Sequence, residues 1–212
     1  MNLFRQHLEA VNACQICPSG FSRSPSGKFY RFPPLIGATR HAIILFVGIN
    51  PRISETNRWL HERLINSEES FRNLAGNRLD DGSPYISLNA VERHYHSHML
   101  VVHGVFGSEC AFETVAAVTE LSLCASTDAP SALQAKSVCA QKHLETSMNI
   151  IKPQVVVAVG ATVKKHVTGN FGNLLAMPPV EMEHPRFHFN LSLAEKRRRL
   201  QPVVDAIKTF LR

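Results

Sequence analysis

"HAIILFVGINPRIS", residues 41–54, decides how this chain is read. From His41 to Gly48 the run is continuously apolar and rich in β-branched residues, as expected for a strand buried on both faces of a sheet. Gly48 closes it, and Ile49, Asn50, Pro51 and Arg52 follow. Strand-to-loop junctions of this kind often hold a ligand, and an Asn locked beside a Pro is an unusual thing to place there.

Working outward, the same theme repeats. "ETVAAVTELSLC" (113–124) reads as a second strand and "QVVVAVG" (154–160) as a third, closed by Gly160 and followed by the helix-like "ATVKKHV". "PPVEMEH" (178–184) reads as a short fourth strand. Between the second and third, "SALQAKSVCAQKHLETSMNIIK" sets Leu133, Ala140, Leu144, Met148 and Ile151 on one stripe of a helix that Pro153 ends. The last helix starts at Ser192–Glu195, a capping box. Strands alternating with helices predict an α/β fold: a three-layer α/β/α sandwich around a central, mostly parallel, four-stranded sheet. A single domain over 1–212 is expected. Residues 52–112 would form an irregular, partly helical insertion between the first and second core strands, with helices at 56–66 and 68–75. Ligands of such sheets sit outside the carboxyl ends of the strands. The Asn50 and His184 loops both follow strands, so they would share that edge.

The totals agree with a globular chain: of 212 residues, 44% are hydrophobic and 19% charged. No apolar run approaches the roughly 18 residues of a spanning helix, so no membrane association is expected. The N-terminal stretch has no signal-peptide core, and a cytoplasmic location is expected. A net charge of +6 and a pI near 9.3 favour a polyanionic partner. In a reducing compartment the five cysteines point to metal or catalysis before disulfides. Cys14 and Cys17 form a CxxC, and fourteen residues separate Cys124 from Cys139. Four thiolates suit a [4Fe–4S] cluster or a structural Zn²⁺; the alternative is four unrelated buried thiols. Cys110 is left over as an ordinary thiol.

Together these segments resemble the uracil-DNA glycosylase superfamily, in particular its iron–sulfur branch, with a first motif of the mismatch-specific type. The resemblance runs in order from "CQIC" (14–17) through "ILFVGINPR" (44–52), "VTELSLC" (118–124), Cys139 and "IIKPQVVVAVG" (150–160) to "EHPRFHFN" (183–190). It implies a monofunctional hydrolase of base excision repair that binds DNA as a monomer, flips a deaminated base, uracil foremost, and cleaves its N-glycosidic bond. That cleavage develops positive charge on the sugar and negative charge on the departing base. By resemblance, Asn50 would hold the attacking water, Pro51 would fix the loop, and backbone N–H groups at Gly48 and Ile49 would cradle the base. His184, as a neutral imidazole, would donate to the leaving base. Cys14, Cys17, Cys124 and Cys139 would hold a structural [4Fe–4S] cluster, with zinc as the alternative.

Departures from the family pattern carry their own chemistry. Arg52 stands where the family usually has Gly, and it could grip a phosphate or touch the flipped base. Glu120 stands where iron–sulfur members commonly have a base-reading Asn. An ionised Glu only accepts hydrogen bonds, so either the substrate extends beyond uracil, to hypoxanthine for example, or Glu120 is protonated in a dry pocket. In "HPRFHFNLS" the loop after Pro185 offers Arg186, Phe187 and Leu191 as a wedge into DNA, and Lys196 and Arg197 of "KRRR" would meet phosphates. The aromatic that stacks on the base is expected in the 52–112 insertion, with Trp59, Phe71 and Tyr85 as candidates; the alternative for an aromatic there is a core position. His94, His96 and His98 are read as a solvated or DNA-facing stretch rather than a metal site. The rival functions are a catalytically weak or inactive DNA-binding relative of the same fold and a zinc-stabilised enzyme acting on a free nucleoside or nucleotide.

Overall fold

Three apolar runs with no polar face can be buried only between two layers of helices, and that is how they lie in the computed structural model. It describes residues 3–15, 21, 30–38, 40–49, 58–83, 89–125 and 138–212, with the side chains of 58, 59, 61, 65 and 89–94 outside the description. The sheet contains β1 (Ile36–Gly37), β2 (Ile44–Gly48), β3 (Ala116–Glu120), β4 (Val155–Val159) and β5 (Val180–Met182) in the order β1-β3-β2-β4-β5. β2 lies at the centre, parallel to both neighbours, with Ile44 opposite Ala116 and Val155. β4 and β5 are also parallel.

The mostly parallel α/β sheet expected from the sequence is present, with five strands where four were expected. The extra one, β1, is an antiparallel edge of two residues. It gave no sequence signal because it is short and follows Pro33–Pro34. Gly37 takes φ +113° there, and a Cβ at this position would lie 2.6 Å from the carbonyl oxygen of Ala116, so only glycine lets the two backbones close.

Side chains alternate across the sheet. Ile44, Phe46, Ala116, Val118, Val155 and Val157 face one core, while Leu45, Val47, Ala117, Val156 and Ala158 face the other. The first core is covered by α2 (Arg58–Asn66), α3 (Glu68–Ala75), α4 (Asn89–Phe106) and α8 (Leu193–Leu211), through residues such as Leu64, Leu74, Val101 and Ile207. The second is covered by α6 (Glu145–Ile151), which continues a π turn at Ala140–Leu144, and by α7 (Ala161–Phe171). The stripe read from the sequence is therefore a core face: Ala140, Leu144, Met148 and Ile151 are all buried. Leu133 lies outside the described residues. α1 (Leu3–Asn12) packs against α6.

Local signals account for several boundaries. Lys152 adopts a left-handed φ of 46° at the end of α6, where Pro153 bars further helix. Ser192 Oγ accepts from the Glu195 N–H at 3.2 Å at the start of α8. The second strand begins later than its apolar pattern suggests, because Phe112–Val115 forms a single turn, α5, before β3. Among the described residues, no helix is long and apolar enough to cross a membrane.

Phe46 is fully buried in the central strand, stacked on Phe112 at 6.0 Å and met edge-on by His98 at 4.7 Å. Phe46→Ala is expected to lower the unfolding free energy by about 3–5 kcal/mol, measured as a fall in the urea midpoint without a change in slope.

Candidate active site

The strand ends build one edge. β2 stops at Gly48, β3 at Glu120, β4 runs into Gly160, and β5 leads through Glu183 to His184. The Leu121 N–H donates to Gly48 O at 2.9 Å and the Ser122 N–H to Ile49 O at 3.1 Å, so β2 and β3 stay zipped through Ile49. On the far side the Gly160 N–H donates to Met182 O at 2.8 Å. Asn50, Pro51 and Arg52 come next in the chain after Ile49, and they lie outside the described residues.

Glu120 is the chemically unusual member. It is 9% exposed and its Oε2 has no hydrogen-bond partner among the described residues. It faces Gly48 directly in the parallel register. A Cβ on residue 48 would lie 2.1 Å from Oε2, so the carboxyl group occupies the space where a side chain would stand. Burial pushes its pKa up to about 8. At neutral pH the group is a carboxylic acid, with one O–H donor and one carbonyl acceptor. Burial thus pushes Glu120 toward the protonated form, the second of the two readings given above. Ser122 Oγ, fully buried nearby in sequence, is likewise without a partner among the described residues.

His184 sits half-buried at the start of a 3-10 turn, Pro185–His188, and its Nδ1 accepts from the Arg186 N–H at 3.2 Å. In the neutral ring the proton is then on Nε2. Sequence reasoning missed the residue that holds this loop down. His188 is 1% exposed, bridging Ser97 Oγ at 2.9 Å and Glu183 Oε2 at 3.2 Å. Glu183 is also reached by Arg199 at 3.5 Å. Only the tertiary pairing with α4 distinguishes His188 from any other loop histidine.

With His188 and Pro185 buried, the rest of the loop is turned outward. Phe187 is 54% exposed with the Arg186 guanidinium 4.7 Å from its ring centre, and Phe189 and Leu193, which the sequence reading passed over, are exposed beside it. Leu191 is half-buried. Arg198 and Arg199 pair with Glu195 and Glu183, whereas Lys196 and Arg197 make no ion pair among the described residues.

Other expectations change. Phe71 is a core residue, 1% exposed, and cannot stack on a ligand; Tyr85 and the Trp59 side chain lie outside the description. His98 is neither solvated nor DNA-facing, because it is 2% exposed and packs against Phe46 and Tyr95. His96 is half-buried and the His94 side chain is not described. A cavity of about 340 Å³ lies between α2, α3 and the turn at Asp80–Asp81. Its carboxylates are already satisfied, Asp80 by Ser70, Asn73 and Arg63 and Asp81 by Ser83, so it offers less chemistry than the strand edge.

The cysteines approach one another through their neighbours. Buried Arg31 pairs through its backbone with Cys124 and donates from Nη1 to Val11 O at 2.6 Å and also to Asn12 O, just before Cys14. The Leu123 N–H donates to Cys139 Sγ at 3.3 Å. Cys17 lies outside the described residues, and among the described ones no three His, Cys, Asp or Glu side chains already close on one point. Cys124 and Cys139 are buried and the Leu123 amide meets one sulfur, a setting that suits a thiolate. Cys110 is half-buried near Thr114, apart from this corner in sequence.

No protein-family model matches the chain, and no curated protein matches it.

The raised value at Glu120 has a consequence for stability. Its folded-state pKa of about 8 exceeds the ordinary 4.5, so its contribution is complete below about 4.5, declines as pH rises and is lost above about 8. Chemical denaturation across that range is expected to show this decline in the wild type and a flatter profile in Glu120→Gln.

Proposed function

We propose that this protein is a monofunctional DNA glycosylase of the uracil-DNA glycosylase type. It would hydrolyse the N-glycosidic bond of a deaminated base, acting as a cytoplasmic monomer in base excision repair. One observation carries the reading: a buried, neutral carboxylic acid at Glu120 stands beside Gly48, at the strand edge from which the Asn50 loop departs.

A neutral acid pairs with a base that presents a carbonyl next to a ring N–H, donating to the first and accepting from the second. Uracil presents that edge, and an Asn in this position would meet it with the same donor and acceptor. Hypoxanthine presents it too, so the same observation favours a second substrate of this class. Asn50 would hold a water against C1′ of the sugar. As the water oxygen bonds to C1′, the glycosidic bond breaks and its electron pair leaves with the base. The water releases its proton to solvent. With Nδ1 accepting from the Arg186 N–H, the neutral His184 ring carries its proton on Nε2, which would meet the developing charge on the base oxygen. Arg52 would approach the phosphate next to the flipped nucleotide. Little covalent work falls to the protein, which suits a site of amides and neutral donors.

Phe187, exposed on a loop fixed from beneath by His188, supports a wedge role, with Arg186, Lys196 and Arg197 as cationic partners for the backbone. Cys14, Cys17, Cys124 and Cys139 would hold a [4Fe–4S] cluster, with zinc as the alternative occupant. Bound there, it supplies no reaction chemistry and ties the N-terminal helix to the segment after β3.

Single- and double-stranded oligonucleotides carrying uracil or hypoxanthine, treated with protein and then alkali, test the proposal. Strand breaks are expected, falling on the order of 100-fold or more in Asn50→Ala, with Glu120→Gln more active than Glu120→Ala. Protein with its metal site filled that produces no breaks on any of these substrates would instead be a DNA-binding relative without catalysis. In a separate binding titration, a Lys196→Ala/Arg197→Ala variant is expected to reduce the slope of log K against log salt by about 1 to 2. An unchanged slope would remove these residues from the interface.

A further inference from the structure

A hydrogen-bonded chain crosses from α4 to α8 beneath the turn that carries His184. Ser97 Oγ on α4 lies 2.9 Å from His188 Nδ1, and His188 Nε2 lies 3.2 Å from Glu183 Oε2. The same carboxyl oxygen meets Arg199 Nη1 of α8 at 3.5 Å. A carboxylate can only accept, so Nε2 carries a proton, and in the neutral ring the Ser97 hydroxyl donates to Nδ1. The order hydroxyl, imidazole, carboxylate is that of a nucleophilic triad. Ser97 and His188 are each 1% exposed, however, so no substrate reaches the hydroxyl, and the chain serves position rather than attack.

The segment held by this chain is short. His188 closes the 3-10 turn Pro185–His188, which His184 caps. Within it the Phe187 N–H donates to the His184 carbonyl oxygen at 3.0 Å, and the Arg186 N–H donates to His184 Nδ1 at 3.2 Å. The Leu191 N–H donates to the His188 carbonyl oxygen at 3.1 Å, tying down the backbone as it leaves. Buried Pro185 and His188 anchor the two ends, and Phe187 between them is exposed. A displaced His188 ring therefore moves the turn, and with it the Arg186 N–H that orients the His184 imidazole.

We propose that Ser97, His188 and Glu183 are positioning residues for base excision, setting where the His184 imidazole and the Phe187 ring stand when DNA binds. This rests on the glycosylase reading given above. Buried polar groups that are fully paired hold one geometry, because any other leaves a donor or acceptor unmet. A misplacement of about 1 Å at a reacting group costs on the order of 100-fold in rate, so the chain acts on the chemical step. Lys196 and Arg197, the proposed phosphate contacts, lie on α8 outside the chain, so affinity for undamaged DNA does not depend on it.

The test uses the full-length protein as wild type, Ser97→Ala, Glu183→Ala and Glu183→Gln. Single-turnover excision from uracil and hypoxanthine oligonucleotides, affinity for undamaged duplex, and hydrogen exchange at the Phe187 amide are measured on each. Gln still offers the His188 Nε2–H a carbonyl oxygen, and Ala does not. Both alanine variants are expected to excise about 10- to 100-fold more slowly, with affinity for undamaged DNA within about twofold of wild type. The Phe187 amide is expected to exchange faster in both, and Glu183→Gln to recover rate and protection. Alanine variants that excise at the wild-type rate would overturn the positioning role. So would a Glu183→Gln as slow as Glu183→Ala, or an affinity that falls in step with the rate. Wild-type protein that breaks none of the oligonucleotides would overturn the glycosylase reading. The Phe187 exchange would then decide the chain by itself, and protection unchanged in both alanine variants would overturn it as well.

Discussion

Between the ends of β2 and β3 there is room for a carboxyl group because residue 48 has no side chain. Glu120 fills that room, and any Cβ on Gly48 would strike its Oε2. The constraint acts in two directions. It binds the identity of residue 48 to the shape of residue 120: a Cβ at 48 meets the carboxyl group, and a shorter side chain at 120 would leave a gap. It also takes the carboxyl out of water, and among the described residues burial is the force that acts on its proton. A neutral acid results, and the rest of the site can be built from neutral donors: a loop amide, an imidazole with its proton on Nε2, and backbone N–H groups.

The loop after β5 depends on a second buried arrangement. Ser97 from α4 and Glu183 from the loop's own stem hold His188 from both sides, and Arg199 from α8 reaches the same Glu183. Three elements therefore fix one short turn. Its apolar tip, Phe187 and Phe189, is exposed to solvent. Exposed aromatics on a rigid stem, flanked by cations, suit the proposed insertion between bases, because the cost of ordering the loop would already have been met.

Much of the fold was legible because central parallel strands are apolar on both faces, as in Ile44–Val47 and Val155–Val159. The edge strand Ile36–Gly37 was not, since two residues carry no period and their pairing is decided by Gly37 and Ala116. Helix α4 was also missed inside the 52–112 insertion, where its histidines read as a polar stretch; His98 turned out to be a core aromatic against Phe46. For the site, the family resemblance singled out Glu120 and His184, and spacing together with that resemblance singled out the cysteines. His188 went unnoticed because burial and pairing belong to the assembled fold. A histidine carries the same letter whether it faces water or a buried serine. Asn50, the residue that first drew attention, lies outside the described residues and depends on experiment.

The protonation state of Glu120 bears most directly on this account. Carbon-13 NMR of glutamate-labelled protein, with the Glu120 carboxyl signal identified by its absence from Glu120→Gln, would follow that group through a pH titration. The account predicts a protonated acid at neutral pH and an inflection near 8. An inflection at or below about 4.5, the ordinary value for this side chain, would mean an ionised acceptor beside Gly48 and would contradict it.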